Sequence, residues 1–343
     1  NNMPKITVIV PIYNVEKYLR KCFDSLLKQD YEDFVVMAVN DGSPDNSQEI
    51  IDEYTAKYPE KIKGVKKENG GYGSVLQLAI ATCGTPYFLV CDPDDYLADG
   101  ALSHLADLAA VSGADITIGA KYFIYDGLDQ QDYDPAYNTN YCTLKKNKVY
   151  NKGAEDFKDL FFVDPSPHSK LYRTEVAKNI KFPFKVSYTD NLLFYISLLN
   201  SEKVIYTDKA CAYYLVDRPG NTMTDLRPKA IIGHIEVFKT ILNQAPAEAI
   251  SMFWYRMFES FKFIQRSCER LTDPADYKEC LEKCYELVEL LMPHKKEVMK
   301  EYRHYSEAKI IEQIRDRAIL TRFISAPVYA GYVRKMVKRF NVL

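Results

Sequence analysis

The sequence predicts an α/β fold, a mostly parallel sheet covered by helices on both faces and followed by a largely helical C-terminal region. Three observations predict it. Short apolar runs alternate with amphipathic stretches through the first third of the chain, polar turns rich in Gly, Pro and Asp follow the runs, and beyond Pro228 apolar residues recur at helical spacing.

The apolar runs at 6–10, 34–39, 62–65 and 87–91 read as strands, and the amphipathic stretches at 15–28, 47–58 and 73–82 read as the helices between them. This βαβαβαβ run takes right-handed crossovers. A helix at 100–112 and a strand at 115–120 continue it, and the polar, Asp-, Asn- and Tyr-rich stretch 126–140 reads as a loop and a boundary. Short helices and strands mix from 149 to 216, with a helix at 190–199 and strands at 204–207 and 212–216. Beyond Pro228, Val237, Phe238, Ile241 and Leu242, then Phe253, Met257 and Phe261, then Leu281, Cys284, Leu287 and Leu291 form helical packing faces.

The 343 residues exceed the roughly 100–200 of one domain, so the expectation is one large domain with an appendage, or two. An apolar content of 47% with 27 Tyr and 17 Phe argues against disorder, and a net charge of −2 gives no electrostatic reason to expect nucleic acid. The eight Cys are scattered without a CxxC, which fits a reduced, cytoplasmic chain, and Cys280 with Cys284 reads as a buried helix face. No segment approaches the roughly 18 apolar residues of a membrane span and the N-terminus lacks a signal-peptide layout, so the chain is expected neither to be exported nor to cross a membrane. The stretch 317–343 carries six Lys or Arg and no acid among apolar and aromatic residues. It suits an anionic membrane surface, and a helix packing its apolar side on the body explains it equally well.

In open α/β sheets, ligands sit beyond the carboxyl ends of the strands. The first strand ends in Pro11-Ile12-Tyr13-Asn14, where Pro stops the ladder and an aromatic ring can stack on a flat base. The second ends in Asn40-Asp41-Gly42-Ser43, where Asp41 can accept from an imide N–H such as that of uracil. The fourth runs into Asp92-Pro93-Asp94-Asp95. Three carboxylates at one strand end cost energy unless a cation neutralises them, and a hard divalent ion that also holds a diphosphate is the natural answer, with an acidic helix cap as the plain alternative. Asn69-Gly70-Gly71-Tyr72-Gly73-Ser74 is a glycine-rich helix start whose N–H groups can approach a ligand. It is neither GxGxxG nor GxxxxGK[ST], which weakens dehydrogenase and P-loop readings.

In this order, IVPIYN, NDGS, the Asn-Gly-Gly helix start and DPDD resemble the donor half of a family 2 glycosyltransferase of bacterial cell-surface polysaccharide type, with the GT-A fold. The resemblance runs from about residue 6 to about 224. It implies a glycosyltransferase domain at 1–225, with a nucleotide-sugar half at about 1–120 and an acceptor half at about 121–225, ahead of the helical region 226–343. It places Pro11, Ile12, Tyr13 and Asp41 against the donor nucleoside, leaves Asn69 and Gly71 of the glycine turn as further donor-binding residues, and makes Asp94 the Mn²⁺ or Mg²⁺ ligand, with Asp92 beside it on the ribose or diphosphate side. The family's catalytic base is the Asp of a Glu-Asp pair opening a helix. Here Thr189-Asp190 stands in that place, so Asp190 is the implied base, and a helix-capping acid is the plain reading of the same residue. His168-Ser169-Lys170-Leu171-Tyr172-Arg173 resembles the strand before this base, and the segment from Arg218 to Thr222 resembles a loop that closes over the diphosphate. Lys170 and Arg218 are further candidates for donor contact, each with a solvated or ion-paired alternative.

This sequence departs from the family where an Arg-Asn pair is often found and Leu76-Gln77 stands instead, which puts the UDP preference in question. The implied activity is inverting transfer of a sugar from a nucleotide diphosphate to a hydroxyl of a glycan or lipid-linked acceptor. Two competitors remain: a non-catalytic nucleotide-sugar or glycan-binding protein, and a sugar nucleotidyltransferase, which lacks here the Gly-rich, Arg-containing loop it needs after the first strand.

Overall fold

The structure is a computed structural model and describes residues 5–216 and 227–305. The described residues form two compact units, the first holding 5–185 and 189–216, the second 186–188 and 227–305.

The first unit is built on β1 (Ile6–Ile12), β2 (Phe34–Asp41), β3 (Ile62–Lys67) and β4 (Tyr87–Val90), with α1 (Glu16–Leu27), α2 (Ser47–Lys57) and α3 (Tyr72–Thr82) as crossovers. Every residue of β1 is buried, as a central parallel strand covered on both faces requires. Ile6, Val8, Val10 and Ile12 share one core with Leu19, Cys22, Phe23 and Leu26 of α1 and with α4 (Ala101–Ser112). The alternate residues face the side where α3 lies against β1 and β2. Next come β5 (Tyr96–Leu97), β6 (Ile116–Ile124), β7 (Gln131–Asp134), β8 (Val149–Asn151), β9 (Lys170–Arg173), α5 (Thr189–Asn200) and β10 (Lys203–Leu215). The strand order is β3-β2-β1-β4-β9-β6-β10-β5, with β7 on β6 and β8 on β10. β1 to β4 pair in parallel and so do β6 and β10, whereas β9 runs antiparallel between β4 and β6.

Two expectations are corrected. The polar stretch 126–140 is not all loop, because Gln131–Asp134 pairs antiparallel with β6, its ladder completed by backbone bonds that need no apolar face. The runs 204–207 and 212–216 are not two strands. They are one, β10, whose register shifts between Tyr206 and Ala210 and again before Ala212. Extra residues at these irregularities interrupt the alternation that periodicity reads.

In the second unit α6 (Pro228–Gln244), α7 (Ser251–Cys268), α8 (Pro274–Leu291) and α9 (Lys295–Tyr305) pack on one another. The expected faces are buried, Cys280 and Cys284 included. Pro274 opens α8, and Asp273 caps it by accepting from the N–H groups of Ala275 and Asp276. Among the described residues no helix is long and apolar enough to cross a membrane. The basic stretch 317–343 lies outside them.

Candidate active site

The register of the sheet brings the carboxyl ends of β1, β2 and β4 to one edge, with Ile12 beside Asn40 and Ile9 beside Val90. Because β9 is antiparallel, its first residue, Lys170, begins at the same edge, where Leu171 pairs with Leu89. Pro11 and Ile12 are buried in the end of β1, and Tyr13 just past them is 46% exposed. Asn14 follows at φ 54° and donates its N–H to Ser43 Oγ at 3.0 Å, joining the first and second strand ends.

Asp41 is buried and fully engaged. Its Oδ1 accepts from Lys67 Nζ at 2.7 Å and from the Gly70 N–H at 2.9 Å, and its Oδ2 from the Gly71 N–H at 2.8 Å and Asn69 Nδ2 at 3.3 Å. A carboxylate offers about four acceptor positions, so an incoming nucleobase imide would have to displace one of these donors. In this arrangement the N–H groups of the glycine turn point at Asp41, and the turn is shaped by it. Gly71 sits at φ +87°, and a Cβ there would lie 2.8 Å from the Lys185 nitrogen.

At the end of β4, Asp92 and Asp94 are half-buried and Asp95 is buried. Asp95 accepts the Leu215 N–H at 2.8 Å through Oδ1 and meets His168 Nε2 at 2.5 Å through Oδ2. Burial, with Lys121 and Lys170 nearby, pushes His168 well below its usual range, so the imidazole is neutral. Asp92 accepts from the Tyr72 hydroxyl at 2.8 Å. Burial, reinforced by Asp95 and Asp94, holds the Asp92 carboxyl well above the ordinary range. Asp94 lines a cavity of about 520 Å³ together with Asp95, Tyr96 and the β6–β7 connection.

Ligand atoms of Asp92, Asp95 and His168 lie within 4.8 Å of one another. Oxygen donors with one neutral imidazole suit a hard to borderline divalent ion. Asp95 already has each oxygen committed to a partner within the protein, whereas Asp92 in a crowd of carboxylates is a group whose ionised form a cation would favour. The residues present therefore fit a divalent ion, with Asp92 the member of the three best able to turn toward it.

Asp190 lies in the first turn of α5, where the helix dipole favours an anion. It is deeply placed but keeps an open face, and burial pushes its carboxyl up to about 6 against the bonds to Asn191 and the field of Lys170. Lys170 is completely buried, donates Nζ to the Ser166 carbonyl, and lies 5.4 Å over the Phe194 ring. Burial, with Lys121 adding to it, lowers Lys170 to about 7. Tyr72 senses both Asp92 and Asp190, and burial first, then these carboxylates, keep its phenol protonated.

The structure thus gathers the strand-end carboxylates, the glycine turn, Lys170 and Asp190 at one edge. Arg218 lies outside the described residues. Tyr72, Asp95 and Gln77 carry contacts that motif reading passed over. The aromatic inside a glycine turn was the available signal for Tyr72, the strand-end acid cluster marked Asp95 without its His168 partner, and nothing local marked the bond of Gln77. Leu76 is buried, and Gln77 accepts the Phe182 N–H at 2.9 Å.

A helix-covered, mostly parallel sheet whose carboxyl edge joins a DxD turn to a helix-borne Asp defines the GT-A class of glycosyltransferase architecture. The profile of the family described as "Glycosyl transferase family 2" matches residues 7–181, more than half of the chain, and the chain belongs to that family of enzymes. The matched region ends before Asp190. GlyA of Streptococcus pneumoniae serotype 4, a glycosyltransferase, is 29% identical over 286 residues, 80% of this chain and 40% of GlyA, so the chain spans less than half of that relative. GlyG of the same organism, also a glycosyltransferase, is 27% identical over 80% of this chain and 93% of GlyG. Among solved structures, residues 1–349 of S. aureus TarS in complex with UDP-GlcNAc superpose with a TM-score of 0.66 at 23% identity, covering 96% of this chain and 92% of that one.

Proposed function

We propose that the chain is an inverting glycosyltransferase that moves a sugar from a nucleoside diphosphate, a UDP-sugar in the first instance, to a hydroxyl of a cell-surface glycan or lipid-linked acceptor. The observation that carries this reading is the pairing, at one sheet edge, of an acidic turn with a helix-borne carboxyl whose proton affinity burial has raised to about 6. A general base works best with a pKa near the operating pH. The UDP-GlcNAc bound to TarS supports the donor class.

In this reading Asp190 takes the proton of the acceptor hydroxyl as its oxygen attacks the anomeric carbon. The bond from that carbon to the diphosphate oxygen breaks with its electron pair, and configuration inverts. Tyr13, Pro11 and Ile12 frame the nucleoside beside the turn that Asp41 organises from Asn69 to Gly71. Asp94 and Asp92 hold Mn²⁺ or Mg²⁺, which when bound supplies positive charge against the departing diphosphate. Lys170 supports the ionised form of Asp190, and Arg218 is assigned to the diphosphate. The basic, aromatic stretch 317–343 favours a lipid-linked acceptor at the inner face of the membrane.

The first test is thermal unfolding with UDP, GDP, CDP or dTDP, each with Mn²⁺ or a chelator, for the intact chain and for Asp94→Ala. Ligand at about 100 times its Kd adds roughly 2.7 kcal/mol to stability. A shift with UDP that needs both metal and Asp94 is expected. The absence of any shift with all four nucleotides would sink the transferase reading, and a shift without release of nucleoside diphosphate from a sugar donor would favour a binding protein.

A further inference from the structure

The segment that leads into α5 donates two main-chain N–H groups to α3 and the glycine turn before it, one to a side-chain oxygen and one to a backbone carbonyl. The Phe182 N–H donates to Gln77 Oε1 at 2.9 Å, and the Lys185 N–H donates to the Gly70 carbonyl at 2.7 Å. An N–H can be met only by an acceptor, so the Gln77 amide must present its oxygen here. Between the two bonds the contact is too close for side chains. A Cβ on Gly73 would lie 2.7 Å from the Pro183 carbonyl oxygen and 3.0 Å from Thr189 Cγ2, beside Asp190 itself. Lys185 is held at φ 58°, a conformation that a residue with a side chain keeps only when its surroundings impose it. On the other side of the same turn, the N–H groups of Gly70 and Gly71 hold Asp41 at the end of β2.

We infer that Gln77 is a positioning residue for Asp190. Its amide oxygen and the Gly70 carbonyl clamp residues 182–185 to the glycine turn, so that the turn organised by Asp41 and the helix start that carries Asp190 hold one fixed geometry. The inference rests on the assignment of Asp190 as the base. Gln77 itself touches no substrate in this scheme. It works through the backbone of 182–185, and displacement of a catalytic group by about 1 Å is enough to cost roughly 10²-fold in rate.

The test compares Gln77→Met, which keeps length but removes the acceptor, with Gln77→Glu, which restores an oxygen, in the intact chain. Release of UDP from UDP-GlcNAc, UDP-glucose or UDP-galactose, with water as acceptor, reads the rate. Gln77→Met is expected to lower kcat about 10- to 100-fold without changing the stabilisation by UDP and Mn²⁺, and Gln77→Glu to recover most of the loss. Amide exchange across 182–192 needs no substrate and is expected to quicken in Gln77→Met and return in Gln77→Glu. Unchanged exchange overturns the clamp. Full turnover in Gln77→Met beside an inactive Asp190→Asn overturns the positioning role alone, and so does a parallel loss of UDP binding and turnover. Full turnover in Asp190→Asn overturns the assignment of the base and this inference with it.

Discussion

Asp190 concentrates the cost and the use of burial in one side chain. Its proton is held more tightly in the folded chain, with the pKa raised from 3.8 to about 6, so this group's contribution to stability falls as pH rises between those two values. At neutral pH the ionised carboxylate is a liability to the fold. Asp190→Asn is therefore expected to be more stable than the parent at pH 7 by about 1–3 kcal/mol and no more stable near pH 3, as read by denaturant unfolding at both values. The same variant should lose about 10²- to 10⁴-fold in turnover, and the parent's kcat should fall as pH drops through about 6. A variant less stable at pH 7 would contradict the burial argument. Asp190 was legible in the sequence as an acid opening a helix. Its altered proton affinity was not, because it is set by burial in the folded chain against the opposing field of Lys170, 20 residues earlier in the sequence. Asp41 shows the opposite limit. Its place at the end of β2 was readable, but its engagement by Lys67, Asn69, Gly70 and Gly71 depends on a turn 28 to 30 residues away in most of its bonds.

Among the elements, α3 does more than cross between two strands. Gly71 before it and Gly73 within it allow the backbone of 183–185 to approach, and Gly73→Ala places a methyl against the Pro183 carbonyl oxygen. Overpacking of this kind costs about 1–3 kcal/mol. The expected result is a lower thermal midpoint together with slower turnover, and an unaltered midpoint would show that the segment can yield. α8 offers a contrasting case in the second unit, since Asp273 accepts from Ala275 and Asp276 at 2.9 and 3.0 Å with no role in the candidate site. Asp273→Ala is expected to cost about 1 kcal/mol by denaturant unfolding and to leave stabilisation by UDP and Mn²⁺ unchanged. The helices and the first four strands were predictable because each repeats its period over several residues. β7 and the single β10 escaped for a physical reason, as pairing with a neighbour satisfies the backbone of Gln131–Asp134 and carries β10 through its irregular register.

Over the whole molecule, the net charge of −2 conceals a strongly basic end. If 317–343 meets an anionic surface, the intact chain should float with vesicles containing about 30% phosphatidylglycerol and not with neutral ones, and replacing Arg334, Lys335, Lys338 and Arg339 by Ala should abolish the difference. Each basic side chain near such a surface contributes about 1 kcal/mol. Equal flotation on both vesicle types would rule out the electrostatic attachment. The amino-acid sequence by itself determined the α/β class, the order of the first strands and helices, the motifs at the strand ends and hence the family, because these depend on local periodicity and on turn chemistry within a few residues. Tertiary structure alone decided that β9 enters the sheet antiparallel, that Tyr72 bonds Asp92, that His168 pairs with Asp95, and that Gln77 holds the segment before Asp190. Those contacts join residues 20 to 105 positions apart, and their energies depend on burial and register that no local pattern encodes.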